Sequence, residues 1–433
     1  MTLPSQKNVT QYIAQAGAAA WQVPQLGEGI QRRSILKVGV IGAGTMGGGI
    51  SMNFATAGID VTIVEQKPEA LHRGLGVVRS NYQRSADKGR FPQTEVEARM
   101  RRLNGQLSLK ALNDCDLIIE AVFENMDLKR QIFSSLDEIA KPGAILATNT
   151  SALDIDEIAD VTKRPQDVIG LHFFSPANVM KLLEIVRAEK TSDEVVATSM
   201  DLAKKINKIA TLVGVCPGFV GNRILFARQV QGQKLLYKGV MPWDTDKAMN
   251  AFGFKMGNFQ MSDLAGLDIG WSKGEKTDNP IRDALCEMDR RGQKTKSGYY
   301  DYDEARRPIP SDITANIIKD ITGVEPTHMS HDQITETCIF PMINEAVKIL
   351  EENKVQRPSD IDVVWLNGYG WPADKGGPMY YADMIGAKEI LKKMEELGAD
   401  DPAYTPATTL RHMAKNGGKF TEIDMGGLKT TRS

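Results

Sequence analysis

The sequence predicts an α/β fold, a doubly wound and mostly parallel sheet, followed by an all-α region of two tandem helical repeats. Three observations carry this reading. Between Lys37 and Glu65 a short apolar run breaks into glycines, a helical stretch follows, and a second apolar run ends in an acid. From Ser34 to about Pro217, short apolar runs alternate with helical patterns, the rhythm of βαβ units. Beyond Gly218 strand signals thin out, and one helical pattern recurs.

The first stretch reads KVGVIGAGTMGGGISMNFATAGIDVTIVE. Gly42, Gly44 and Gly47 stand at G-x-G-x-x-G spacing, and Ile50, Phe54 and Ala57 share the face of the helix that follows. Glu65 ends the next strand, about 20 residues beyond the first glycine, as in a Rossmann-like dinucleotide-binding unit. Gly42 permits the sharp turn, Gly44 lets a pyrophosphate approach the backbone, and Gly47 lets helix and strand pack closely. The helix N-terminus offers that pyrophosphate unpaired N–H groups and a partial positive charge. A carboxylate at Glu65 accepts hydrogen bonds from a ribose hydroxyl and repels a 2′-phosphate, which favours NAD over NADP; Lys67 nearby softens the repulsion.

Residues 1–33 read as an N-terminal helix (Val9 to Trp21) and a Pro/Gly linker, ahead of an NAD-binding domain over 34–215. Its candidate strands are Lys37–Ile41, Val61–Val64, Leu117–Ala121, Ile145–Thr148, Val168–His172 and Leu182–Val186. Helical stretches between them include Pro68–Lys88, Thr94–Arg102 and Asn125–Ala140. A first helical domain spans 216–305, with helices expected at Asn222–Lys238, Thr245–Ala251 and Met261–Ser272; Pro308 and Pro310 punctuate a linker beyond it. A second helical domain spans 306–433. In the repeat, Gly257, Asp263 and Gly266 correspond to Gly377, Asp383 and Gly386, and the second copy reads as a structural duplicate that need not carry chemistry.

Composition excludes several classes. A formal net charge of −2 gives no field for nucleic acid or an anionic membrane. No apolar run reaches the length of a membrane span. The start of the chain lacks the pattern of a signal peptide, is nearly free of Arg and Lys before Glu28, and Thr431–Ser433 is not a peroxisomal Ser-Lys-Leu signal. The four cysteines lie far apart, without metal-ligand spacing, which suits reduced thiols in a cytoplasmic or organellar-matrix compartment.

Three polar stretches fall where a doubly wound fold places its site: TNTSAL (Thr148–Leu153), LHFFSPANVMKLLEIV (Leu171–Val186) and PGFVGNRIL (Pro217–Leu225). His172 is the sharpest candidate, because oxidising an alcohol requires a base near neutrality. Glu184 sits inside the apolar strand LLEIV. A buried carboxylate needs a partner, and a carboxylate against the other ring nitrogen fixes an imidazole's tautomer. Ser151 and Asn222 supply hydrogen-bond donors for a substrate oxygen; their blander roles are a strand-end turn and a helix cap.

From Lys37 to about Lys388 the chain resembles the L-3-hydroxyacyl-CoA dehydrogenases of β-oxidation. VGVIGAGTMGGGI, IIEAVFENMDLK, TNTSAL, HFFSPANVMKLLEIV, PGFVGNRIL, KMGNFQMSDLAG and GQKTKSGYYDYD match in order. The tandem helical part is similar to the dehydrogenase portion of multifunctional fatty-acid oxidation enzymes, with residues 1–33 resembling the linker helix that follows their enoyl-CoA hydratase domain. The resemblance implies His172 as general acid/base, Glu184 as its partner, and Ser151 and Asn222 on the substrate's oxygen. It implies NAD on Gly42, Gly44, Thr45, Met46 and Gly47, with Glu65 on the ribose and Glu124, Lys129 and Lys294 near the cofactor. Asn81 and Lys88 match the region that meets coenzyme A. Two departures stand out: Ser175 replaces an Asn of the single-function members, and Trp271–Gly292 is short, which bears on chain-length preference.

The expected reaction is therefore reversible NAD-dependent oxidation of an L-3-hydroxyacyl-CoA, without hydratase activity. Substrate is expected in a cleft closed by the helical part, and a separate enoyl-CoA hydratase or thiolase is an expected partner. The resemblance fits a monomer or a homodimer. The rival readings are a dehydrogenase of a free hydroxy acid and a non-catalytic, crystallin-like protein.

Overall fold

The computed structural model describes residues 6–27, 29–398 and 401–428. Glu28, the first five residues and the Thr431–Ser433 tail, which bear on the targeting readings, lie outside the described residues. The chain falls into two compact units. One comprises Met1–Asn222, Ile349–Tyr369 and Thr421–Ser433, and the other Arg223–Lys348 and Gly370–Phe420.

The first unit holds an eight-stranded sheet: β1 (Lys37–Ile41), β2 (Asp60–Val64), β3 (Leu103–Gln106), β4 (Leu117–Glu120), β5 (Ile145–Thr148), β6 (Val168–Phe173), β7 (Leu182–Arg187) and β8 (Ile209–Gly214). The spatial order is β3-β2-β1-β4-β5-β6-β7-β8. The first six strands are parallel in the order expected of a dinucleotide-binding sheet. β7 then runs antiparallel to β6, and β8 runs parallel to β7. Helices α1 (Gln6–Ala19), α2 (Thr45–Thr56), α3 (Pro68–Asp87), α4 (Gln93–Met100), α5 (Met126–Ile139), α6 (Ile155–Ala159) and α7 (Asp193–Lys205) belong to the same unit. Val38, Val40, Ile119, Ala147, Ile169 and Ile185 from the strands pack with Ile50 and Phe54 of α2 in one buried core. Strands buried on both faces explain why they read as near-continuous apolar runs.

Six strands lie where the sequence places them, shifted by no more than one residue at either end. β3 and β8 are additions. β3 reads LNGQ, an edge strand with one apolar residue and no pattern to detect. β8 reads IATLVG, an apolar, β-branched run whose pattern is legible.

The N-terminal segment is more than a lead-in. α1 packs on the helix Pro358–Gly368, with the Tyr12 hydroxyl donating to Asp362 Oδ2 at 2.5 Å. Arg357, just ahead of that helix, donates to the carbonyls of Ala19 and Gln22. The stretch Ile349–Tyr369, expected in the second helical domain, thus belongs with the sheet. Val355 bridges to Val213 of β8, and Gly368 leaves room where a Cβ would stand 2.5 Å from Leu182.

The second unit is helical apart from a two-stranded ribbon, Tyr300–Tyr302 against Pro308–Pro310, where the sequence suggests only a linker. A two-stranded ribbon is all edge, so strand prolines are tolerated there. The third expected helix of this part is Asn258–Ala265 rather than Met261–Ser272, because Gly266, at φ +106°, ends it. The repeat is visible as matching helix boundaries: Gly257 and Gly266 flank Asn258–Ala265, and Gly377 and Gly386 flank Pro378–Ile385. Asp263 accepts from the Tyr299 and Tyr300 amides and the Tyr302 hydroxyl, and its counterpart Asp383 accepts from the Phe420 amide. No helix among the described residues is long and apolar enough to cross a membrane.

Candidate active site

The glycine turn has the geometry its spacing requires. Gly42 sits at φ +102°, and a Cβ on Gly47 would lie 1.9 Å from the Gly42 carbonyl oxygen. A Cβ on Gly44 would meet nothing within 4 Å. Gly47 is therefore needed by the protein itself, whereas the space at Gly44 is open to a ligand. α2 begins at Thr45 with no side-chain cap, so its first N–H groups, including those of Met46 and Gly47, remain available to an anion. A cavity of about 430 Å³ adjoins the turn, lined among others by Gly44, Met46, Glu65, Leu109, Val122 and Phe123. Glu65 is held at its edge by the amides of Ala43, at 3.2 Å, and Gln66, at 2.9 Å. Phe123 projects there with 87% of its surface exposed. An open glycine, a helix N-terminus and a tethered carboxylate fit a dinucleotide.

The reversal of β7 forms the second part of the site. Antiparallel register sets His172 directly opposite Glu184. His172 Nδ1 lies 2.8 Å from Glu184 Oε2. His172 is 5% exposed and Glu184 fully buried. Glu184 Oε1 accepts the Gly221 amide at 2.9 Å, so both carboxylate oxygens are engaged. The imidazole also packs against the rings of Phe174 and Phe219, centroids 4.4 and 5.7 Å away. With Nδ1 on the carboxylate, Nε2 is the nitrogen left for exchange with a ligand.

Gly221 leads into Asn222, the N-terminal turn of α8 (Gly221–Leu236). Asn222 Nδ2 donates to the Ser151 carbonyl at 3.2 Å, and its Oδ1 accepts the Tyr369 hydroxyl at 2.7 Å. Ser151 in turn donates to Glu124 Oε1, by its amide at 2.8 Å and its hydroxyl at 3.1 Å. His172, Glu184, Asn222 and Ser151 are thereby joined in one network, and Glu124 extends it towards β4.

Burial would raise the Glu124 carboxyl, but hydrogen bonds from Thr150 and Ser151 and the charge of Lys129 prevail and hold it below the usual range. Lys129 is itself enclosed. It is 1% exposed, and its ammonium bonds both oxygens of the buried Glu120, at 2.7 and 2.9 Å, with Glu124 Oε2 at 3.4 Å. An ammonium so enclosed acts on a ligand only by holding Glu124. Glu120 was absent from the sequence-based site. Its signal is an acid within the apolar strand LIIE, the same signal that singles out Glu184. Lys294 lies in the second unit, paired with Asp268.

Asn81 and Lys88 line a cavity of about 530 Å³ with Arg84, Arg90, Lys181 and Lys208; Asn81 also reaches the neighbouring cavity of about 900 Å³ that touches Gly44. The smaller cavity has no Asp or Glu among its described lining residues. The Lys208 ammonium donates to the carbonyls of Ala177 and Met180, each at 2.6 Å, and burial pushes it down to about 8.

A glycine turn that fits a dinucleotide and a buried His–Glu pair on the same sheet fit an oxidoreductase of the Rossmann type. Residues 37–216 match the NAD-binding domain of 3-hydroxyacyl-CoA dehydrogenase, and 218–302 and 334–424 match its C-terminal domain. The chain belongs to the 3-hydroxyacyl-CoA dehydrogenase family. It is 41% identical to the peroxisomal bifunctional enzyme of Cavia porcellus over 94% of its own length, and spans about 60% of that relative. The dehydrogenase part of multifunctional enzyme 1 from C. elegans is similar in structure, with 31% identity, a TM-score of 0.68, and coverage of 94% of this chain and 96% of that one. The 3-hydroxybutyryl-CoA dehydrogenase of Escherichia coli K12 gives 25% identity and a TM-score of 0.76, covering 88% and 99%.

Proposed function

We propose that the protein catalyses the reversible NAD-dependent oxidation of an L-3-hydroxyacyl-CoA to the 3-ketoacyl-CoA in fatty-acid β-oxidation. The observation that carries this reading is the buried His172–Glu184 pair, at 2.8 Å, linked through Gly221 to Asn222 and Ser151. His172 Nε2 takes the proton of the C3 hydroxyl, and Glu184, on Nδ1, stabilises the resulting imidazolium. Asn222 Nδ2 donates to the C3 oxygen, and the Ser151 hydroxyl joins it by turning its one hydrogen from Glu124 Oε1, which keeps the Ser151 amide, so that the proton leaves towards the ring in a fixed direction. Gly42, Gly44, Thr45, Met46 and Gly47, with Glu65 for a ribose hydroxyl, would hold NAD, which would supply the acceptor for the C3 hydride.

Glu65 supports NAD over its 2′-phosphate, since its two amide contacts hold a negative charge where that phosphate would lie. The basic cavity at Asn81 and Lys88 supports a phosphorylated carrier such as coenzyme A. For location we propose a reducing compartment, the cytoplasm or an organelle matrix, on the strength of four widely spaced cysteines. A hydratase or thiolase acting in sequence with it is the partner this chemistry calls for.

The test is NADH formation from 3-hydroxybutyryl-CoA and a long-chain 3-hydroxyacyl-CoA, beside free 3-hydroxybutyrate and gulonate. Turnover of the thioesters alone is expected. Turnover of a free acid in their place, or none of any substrate while NAD still binds, overturns the reading.

A further inference from the structure

Tyr369 lies 147 positions from Asn222 in sequence, in the second copy of the helical repeat. It is nonetheless part of the unit that contains His172. Its ring meets that of Phe174 edge-on at 5.4 Å and stacks on Trp365 at 4.6 Å. Gly221 makes room for it, because a Cβ there would stand 2.4 Å from the Tyr369 ring. The ring's place is therefore fixed by packing from three sides.

The polarity of the Asn222 amide follows from its neighbours. The Ser151 carbonyl can only accept, so Nδ2 must face it and Oδ1 must face Tyr369. The tyrosine hydroxyl then has to donate. Burial, reinforced by the Glu184 charge, pushes the phenol well above its usual value, so it keeps the proton it donates. Nδ2 retains a second hydrogen that no described residue accepts.

We propose that Tyr369 is a positioning residue. Its hydroxyl is the second tether that locks the Asn222 side-chain amide in the orientation the Ser151 carbonyl selects, with an Nδ2–H left for the substrate's C3 oxygen. The inference rests on the proposed reaction. It also gives the second repeat, which reads from sequence as a duplicate that need not carry chemistry, a part in the site, since that repeat supplies the lock. Without the hydroxyl, Oδ1 loses its partner and the amide is held by the Ser151 contact at 3.2 Å alone, so Nδ2–H is less closely directed at the substrate oxygen.

Tyr369→Phe keeps the packed ring and removes only the donor. It is expected to lower kcat on 3-hydroxybutyryl-CoA by about tenfold or more, with KM for NAD unchanged. In an Asn222→Ala background the same change is expected to cost nothing further, which a loss of general stability would not produce. A wild-type kcat in Tyr369→Phe, or an equal loss in both backgrounds, overturns the inference while leaving the reaction standing. If the unaltered protein turns over no thioester, the proposed function fails by itself. The lock is then decided by NMR of protein labelled with ¹⁵N-asparagine. The Asn222 side-chain pair, identified by its absence in Asn222→Ala, should shift in Tyr369→Phe; an unmoved pair overturns it.

Discussion

Replacing Glu184 by Gln is the most direct test of the proposed chemistry, because the swap keeps shape and changes only charge and one donor. The Gly221 amide needs an acceptor, so the new amide oxygen stays on it and the NH₂ group turns to His172 Nδ1. Nδ1 must then accept, which forces the ring proton onto Nε2 and removes the base. Two losses combine. A charge-assisted hydrogen bond in a buried site is worth about 1.5–3 kcal/mol, and a ring held in the wrong tautomer adds a further cost of roughly 2 kcal/mol or more. Together they predict a fall in kcat of ~10²–10⁴. The assay is initial-rate NADH formation with both substrates saturating, alongside NAD affinity measured directly. NAD binding should be unaffected. In a His172→Gln background, Glu184→Gln should add little, since groups that act as a unit lose their effect together. A kcat within about threefold of the original, or a fall undiminished without His172, would refute the reasoning.

Three further substitutions concern binding and stability. Gly44→Ala is expected to leave the melting temperature unchanged, because nothing lies within 4 Å of the added Cβ. It should weaken NAD binding by ~10-fold or more, since the Cβ enters the pyrophosphate's space. Gly47→Ala should instead lower the melting temperature as well, its Cβ falling 1.9 Å from a carbonyl; equal NAD affinity in Gly44→Ala would remove the cavity from the cofactor. Asp360 is buried beside Arg357, its Oδ1 without a hydrogen bond, and burial pushes its carboxyl up to about 7 against the opposing Arg357 charge. A raised folded-state value means that its contribution is complete below about pH 4 and is lost as pH rises towards 7. Asp360→Asn should therefore stabilise the protein at pH 8 relative to pH 5, by on the order of a few kcal/mol; urea midpoints shifted equally at both pH values would contradict this.

The parts of this architecture that are local in sequence are also the parts the sequence exposes. The glycine turn, six strands and the acid inside LLEIV each declare themselves within a few residues, and the pairing of His172 with Glu184 follows because a buried charge demands a partner. The same argument applied to LIIE would have found Glu120 and placed Lys129 beside it. Tyr369 gives no such sign, since an aromatic residue at a helix end looks like any core residue until the fold brings it to Asn222. β3 was illegible for the opposite reason: its four residues hold too little apolar character to mark a strand.

The antiparallel turn of β7 has a consequence for how the site can vary. Because His172 and Glu184 meet as cross-strand neighbours, their approach is set by the hydrogen-bonded ladder and not by the loop between them. Replacing side chains in Ser175–Lys181 leaves that ladder untouched. A slip of one residue in the pairing is another matter, for it would send Glu184 to the other face of the sheet. What the site requires is the register of the two strands, and the connection between them can vary so long as that register holds.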